Sequence, residues 1–204
     1  MPASTPGRWL KPLVFLLCSL PLIGMASALF TGGLNPDPIQ ALTHTTGEWA
    51  LRLLLLTLAM TPLKRVSGWR WPLRLRRLLG LFTFSYVTVH LLIWAVLDQE
   101  LRLSAALADI IQRPYLTAGL LAFLLLTSLA VTSTNAMIRR LGGKRWKQLH
   151  RSVYLIGILA VLHFLWLVKA DVREPLIYGL LLAVLLALRA PLPALMRRQS
   201  RRKL

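Results

Sequence analysis

Residues 144–169 read KRWKQLHRSVYLIGILAVLHFLWLVK, a basic cluster ending at Arg151 that passes directly into an apolar run reaching Val168. A hydrocarbon core about 30 Å thick takes roughly 20 residues of helix, so this run is long enough to cross a bilayer. His150 stands at its basic entrance and His163 deep inside it. At 1.5 Å rise per residue, the interval between them spans roughly 20 Å along the helix axis. Ionisable side chains inside membrane helices are costly and usually functional. Two on one helix, at two depths, predict two stations along a path across the membrane.

The rest of the chain extends that reading. Of its 204 residues 56% are hydrophobic, and the mean hydropathy is +0.60; soluble domains run at about 45–50% apolar. Charged residues fall in blocks between apolar runs. The expectation is an all-α integral membrane protein, a six-transmembrane-helix bundle forming one domain over residues 1–204. Its spans fall at about 13–30, 48–63, 79–97, 115–131, 151–168 and 175–188. The first comes after Arg8 and Lys11 and ends Ala26-Ser27-Ala28. It reads as a retained helix, with a cleaved secretory signal as the rival. Residues 31–47, with Gly32, Gly33, Asn35, Pro36, Asp37 and Pro38, read as a polar loop containing a solvated His44.

The net charge of +18 has a topological meaning. Lys and Arg concentrate at the N-terminus, in residues 64–78, in residues 139–151 and from Arg189 onward. The opposing loops hold only Arg102, Arg113, Lys169 and Arg173. Positive charge marks the cytoplasmic side and attracts anionic lipid head groups, so both termini are expected in the cytoplasm. Basic residues set between apolar spans argue against a nucleic-acid partner. Cys18 is the only cysteine, which excludes an intramolecular disulfide and a thiolate metal cluster. No Gly-rich phosphate loop is present.

Depth arithmetic brings two histidines together. The third and fifth spans run in the same direction. His90 lies 11 residues past Leu79, and His163 lies 13 past His150. His90 and His163 therefore share a depth in the outer half of the membrane, where two neutral imidazoles can supply both axial ligands of a haem iron. Met60 and Met137, at helix ends, are poorly placed as substitutes. Tyr86 and Trp94 flank His90 by four residues, and Gly157 and Trp166 lie near His163, the glycine reading as a place where a flat cofactor approaches the backbone. Two other readings stand beside ligation. One is interhelical hydrogen bonding. The other is a proton relay, which the near absence of carboxylates within the spans disfavours. At the inner depth of His150 the third span carries Arg76 and Arg77. Arginine does not ligate iron but can pair with a haem propionate or a flavin phosphate.

Three segments carry a family resemblance: TGEWAL at 46–51, RRLLGLFTFSYVTVH at 76–90 and RRLGGKRWKQLHRSVYLIGILAVLHF at 139–164. Through them the chain resembles the MsrQ (YedZ) family of haem-binding membrane subunits, within the wider ferric-reductase-like transmembrane group. The resemblance implies haem b, one or two per chain, with His90, His163 and His150 as iron ligands. It implies electron transfer across the bacterial inner membrane to a periplasmic molybdopterin-dependent methionine sulfoxide reductase, with the quinone pool or a cytosolic flavin reductase as donor. It also implies FMN, for which the sequence offers no defined site. Arg76 and Arg77 stand where the wider group has its inner histidine, so the second haem lacks one expected ligand. The role expected is an electron-transfer subunit rather than a catalytic one. The alternatives are a quinol-oxidising cytochrome b subunit and a cofactor-free scaffold or transporter.

Overall fold

The computed structural model describes residues 7–33 and 36–189. Asn35, the side chain of Arg8 and the basic tail beyond Arg189 lie outside the described residues. Within them all regular structure is helical. The helices are α1 (Gly7–Thr31), α2 (Pro38–Ser67), α3 (Trp71–Leu92), α4 (Leu103–Gln112), α5 (Pro114–Val131), α6 (Asn135–Leu149), α7 (Val153–Leu167) and α8 (Arg173–Arg189). A π-helical turn, Ile93–Asp98, continues α3, and a 3-10 turn, His150–Ser152, leads into α7.

Among the described residues, four segments are long and apolar enough to cross a membrane: Trp9–Thr31, Trp71–Asp98, Pro114–Val131 and Asn135–Leu167. The chain is an all-α membrane protein. The last segment is not one continuous helix: Gly142 takes a positive φ of 74° and kinks α6 within its own length, and the 3-10 turn His150–Ser152 joins α6 to α7. Two expected spans fall outside these four for different reasons. α8 has 17 residues, while α2 has 30 but carries Glu48 and Arg52.

The 31–47 loop expected from the sequence is corrected. α2 begins at Pro38, because Asp37 caps it: the Asp37 side chain accepts a bond from the Gln40 N–H at 3.0 Å, and Pro38 occupies the first turn. His44 is therefore helical, one turn before Glu48. α2 stops where Gly68 adopts φ 73° and its N–H bonds back to the Lys64 carbonyl. The basic residues Arg74, Arg76 and Arg77 are helical too, since α3 extends before its apolar run. The loops expected around 98–114 and 135–150 contain α4 and α6, neither of which has a buried residue.

α2 is the central pillar. It supplies Leu53 to the cluster with α1 and α3, Leu54 to that with α5 and α7, and Leu51, Leu55 and Leu58 to that with α7 and α8. A helix covered on several sides faces protein rather than lipid, so it tolerates charges that a peripheral helix does not. In lipid, apolar contact between helices gains little over contact with tails, so close packing and interhelical hydrogen bonds hold the bundle. Tyr86, 0% exposed, donates its hydroxyl to the Cys18 carbonyl at 2.8 Å and ties α3 to α1. Pro62 has no N–H to give the Leu58 carbonyl one turn earlier. Arg189 of α8 fills that vacancy, donating to the Leu58 carbonyl from both Nε and Nη2 (3.0 and 2.5 Å), and it also reaches Thr61 and Tyr154. A missing backbone donor in α2 is thus answered by a cation on α8.

Candidate functional site

α2, α3, α5 and α7 enclose a cavity of about 920 Å³, and His90 and His163 both line it. Their ring centres are 6.1 Å apart with planes at 88°. The depth match read from the sequence brings these two side chains together, from α3 and α7.

Each ring is held in the same way. His90 Nδ1 lies 2.9 Å from the Thr43 carbonyl on α2, with the Thr46 hydroxyl at 3.3 Å. His163 Nδ1 lies 2.7 Å from the Tyr115 carbonyl on α5. A carbonyl only accepts, so each Nδ1 carries the proton and donates it. That fixes the tautomer and leaves each Nε2 with a free lone pair. Such an orienting bond on the other ring nitrogen is the usual support of a metal-bound histidine.

Glycines make room for both rings, and their spacing repeats. Gly47 lies four residues after Thr43, and Gly119 four after Tyr115. A Cβ on Gly47 would sit 3.2 Å from His90 Cε1; one on Gly119 would sit 2.8 Å from His163 Nδ1. The i, i+4 spacing puts each glycine on the same helix face as its carbonyl, so the bare backbone lets the imidazole reach it. Sequence reasoning missed both seats. The signal available was Gly47 inside the TGEWAL segment.

The cavity suits a flat metal cofactor. Imidazole–metal bonds run about 2.0–2.1 Å, which sets two rings bound on opposite sides of one metal about 6.4 Å apart between centres. Trp94, carried by the π-helical turn, lines the wall as expected. Tyr86 does not, being committed to α1. Gly157 is a helix-packing residue rather than a cofactor approach: a Cβ there would meet Leu182 of α8 at 3.0 Å. Trp166 is 52% exposed and off the cavity. Met60 is buried against α1 and α3, and neither it nor Met137 lines the wall.

His150 occupies a different place. Its ring stacks on Trp146 at 3.9 Å, and its Nε2 is 3.2 Å from the Thr132 hydroxyl. That hydroxyl also lies 2.7 Å from the Ser128 carbonyl, to which it donates, so His150 Nε2–H is the donor in the shared bond. Trp146 Nε1–H donates to the Thr132 carbonyl at 2.9 Å, fixing the stack on the end of α5. Arg77 donates to the Asn135 side chain at 3.2 Å, joining α3 to α6. No hydrogen bond or ion pair reaches Arg76 among the described residues.

The family model described as "Ferric reductase like transmembrane component" matches residues 46–167. That stretch contains His90, His150 and His163 together with both glycine seats. The chain thus belongs to the ferric-reductase-like transmembrane proteins. Among its relatives are three named protein-methionine-sulfoxide reductase heme-binding subunit MsrQ. The Rhodospirillum rubrum protein is 51% identical, over 93% of this chain and 90% of its own length. The Azospira oryzae protein is 50% identical, over 88% and 78%. The Ralstonia nicotianae protein is 44% identical, over 93% and 89%. Within the class, the chain belongs to the MsrQ family.

Proposed function

We propose that this chain is a haem b subunit that carries electrons across the bacterial inner membrane to a periplasmic molybdopterin-dependent methionine sulfoxide reductase. The observation that carries the reading is the matched pair of seats. Two imidazoles, each locked through Nδ1 to a backbone carbonyl, leave their Nε2 lone pairs to one cavity. Bound haem supplies one-electron exchange at its iron. The chain's own work is to hold His90 and His163 as axial ligands, to exclude lipid and water, and to keep both rings in one tautomer.

The count of positive charge favours six crossings, at about 13–30, 48–63, 79–97, 115–131, 151–168 and 175–188, with both termini cytoplasmic. α2 qualifies as a crossing helix because Glu48 and Arg52 neutralise each other on one face, with Arg52 also held by the Tyr178 hydroxyl of α8. His150 then lies on the inner side, where it ligates or orients a second cofactor, with Arg76 and Arg77 as partners for a propionate or a phosphate. Before His150 can bind a metal through Nε2, the bond to Thr132 has to open. The donor is the quinone pool or a cytosolic flavin reductase, and FMN would sit among the inner basic residues.

The test is haem loading combined with delivery. In vesicles holding the periplasmic enzyme on the outer side, a reductant supplied inside should drive methionine sulfoxide reduction through the wild-type chain. His90→Ala and His163→Ala should bind no haem at the outer site and deliver nothing. Full delivery by either variant would overturn the assignment. Reduction of the haem only by quinol, with no transfer to the periplasmic enzyme, would identify a quinol-oxidising cytochrome instead.

A further inference from the structure

His44 and Glu48 of α2, which line the cavity, meet Glu174 of α8, and one donor atom from each lies within 4.8 Å of the others. We infer that these three side chains form a site for a divalent transition metal, of which zinc is the type, distinct from the paired histidines inside the cavity.

The local geometry argues for a cation rather than for a network of hydrogen bonds. His44 and Glu48 are four residues apart and share one helix face. His44 Nδ1 is 3.4 Å from Glu48 Oε1, beyond the 2.7–3.2 Å of an N–H···O bond. With metal–ligand bonds of about 2.0–2.1 Å, two ligands of a tetrahedral site stand about 3.4 Å apart, which is the separation found here. Glu48 divides its two oxygens: Oε2 accepts from Arg52 at 2.7 Å, and Oε1 faces His44. Arg52 therefore stands behind the carboxylate as an orienting partner, of the kind metal-bound carboxylates usually have. It is itself held by the Tyr178 hydroxyl at 2.9 Å.

Charge points the same way. Arg52 pairs with Glu48, and no ion pair reaches Glu174 among the described residues. Two carboxylates against one guanidinium leave a net negative charge, which a dication offsets. One nitrogen and two carboxylate oxygens suit zinc or another borderline metal, and three protein ligands leave the fourth position to water. Magnesium and calcium prefer oxygen alone. The site is built on two helices, so occupancy would clamp α8 to α2. His44 also lies beside Phe164, the residue after His163, at 6.1 Å between ring centres.

The experiment is a competition titration of zinc ion against a chromophoric chelator, on the full-length haem-loaded protein in detergent. Wild type should bind one zinc per chain at micromolar or lower concentration, unaffected by millimolar magnesium. His44→Ala and Glu174→Gln should each weaken binding by tenfold or more, with the haem spectrum unchanged. No zinc bound in the micromolar range, or equal binding in wild type and both ligand variants, would overturn the site. If the chain proved to bind no haem, the same variants would still report on zinc, so failure of one assignment is separable from failure of the other.

Discussion

Gly119→Ala is a one-carbon probe of how His163 is seated. The new Cβ would lie 2.8 Å from His163 Nδ1 and 3.1 Å from Cε1. Carbon contacts settle at about 3.5–4.0 Å, so the ring has to retreat by about 0.7 Å or more. The neighbouring atoms of α5 are backbone and cannot yield. The retreat lengthens the 2.7 Å bond from Nδ1 to the Tyr115 carbonyl and turns Nε2 away from the cavity. Losing such an orienting partner typically costs 10- to 100-fold in metal affinity, about 1.4–2.7 kcal/mol. The folded chain should not suffer equally, because glycine to alanine inside a helix gains about 0.5–1 kcal/mol on propensity alone. The two effects have opposite signs, so the variant should be stably folded and deficient in haem. Gly80→Ala is the control, since its Cβ meets only Thr57 Cγ2 at an ordinary 3.9 Å. The assay is haem per purified chain, measured beside thermal unfolding in the same detergent. A Gly119→Ala protein carrying haem at wild-type affinity would refute the seat.

Gly47→Ala should be milder than Gly119→Ala, because its Cβ stops 3.2 Å from His90 Cε1, and haem titration of the two variants ranks them. Arg189→Met should destabilise the bundle by about 1.5–3 kcal/mol, as expected for bonds to a charged donor. Most of that loss should disappear in a Pro62→Ala background, where Leu58 regains its helical N–H; a double-mutant cycle in detergent measures the coupling. The 88° between the two imidazole planes predicts a strongly anisotropic low-spin ferric signal by electron paramagnetic resonance. A rhombic signal of near-parallel rings would contradict that arrangement.

The pairing of His90 with His163 is legible in the sequence, because depth comes from counting residues along two helices of known direction. The α-helical membrane class is legible for a similar reason: apolar runs separated by basic blocks have few other readings. Helix ends are not. Apolar runs mark what faces lipid or core, whereas α2 and α3 begin within polar sequence that faces protein or the membrane boundary. At the start of α2, the Asp37-Pro38 pair suits a turn as well as a cap. Reading it as a turn leaves His44 in a loop and hides its juxtaposition with Glu174. The glycines behave likewise. Gly157 reads as open to a cofactor but packs on Leu182, while Gly47 and Gly119 do the seating. Which side of a helix a glycine faces depends on its neighbours, and no single-chain periodicity discloses them. Tyr86 and Trp94, equally spaced about His90, diverge because eight residues of helix leave them about 80° apart around the axis, so Tyr86 packs on α1 while Trp94 lines the cavity.

The central claim is that His90 and His163 grip the same haem from opposite helices. Its most direct test is the reduced-minus-oxidised absorption spectrum, with haem per chain, for wild type, His90→Ala, His163→Ala and His150→Ala. A bis-histidine b-type spectrum is predicted for wild type. Equal loss of one haem is predicted in the two outer-site variants, and retention of that haem in His150→Ala. A wild-type spectrum from either His90→Ala or His163→Ala would contradict the claim.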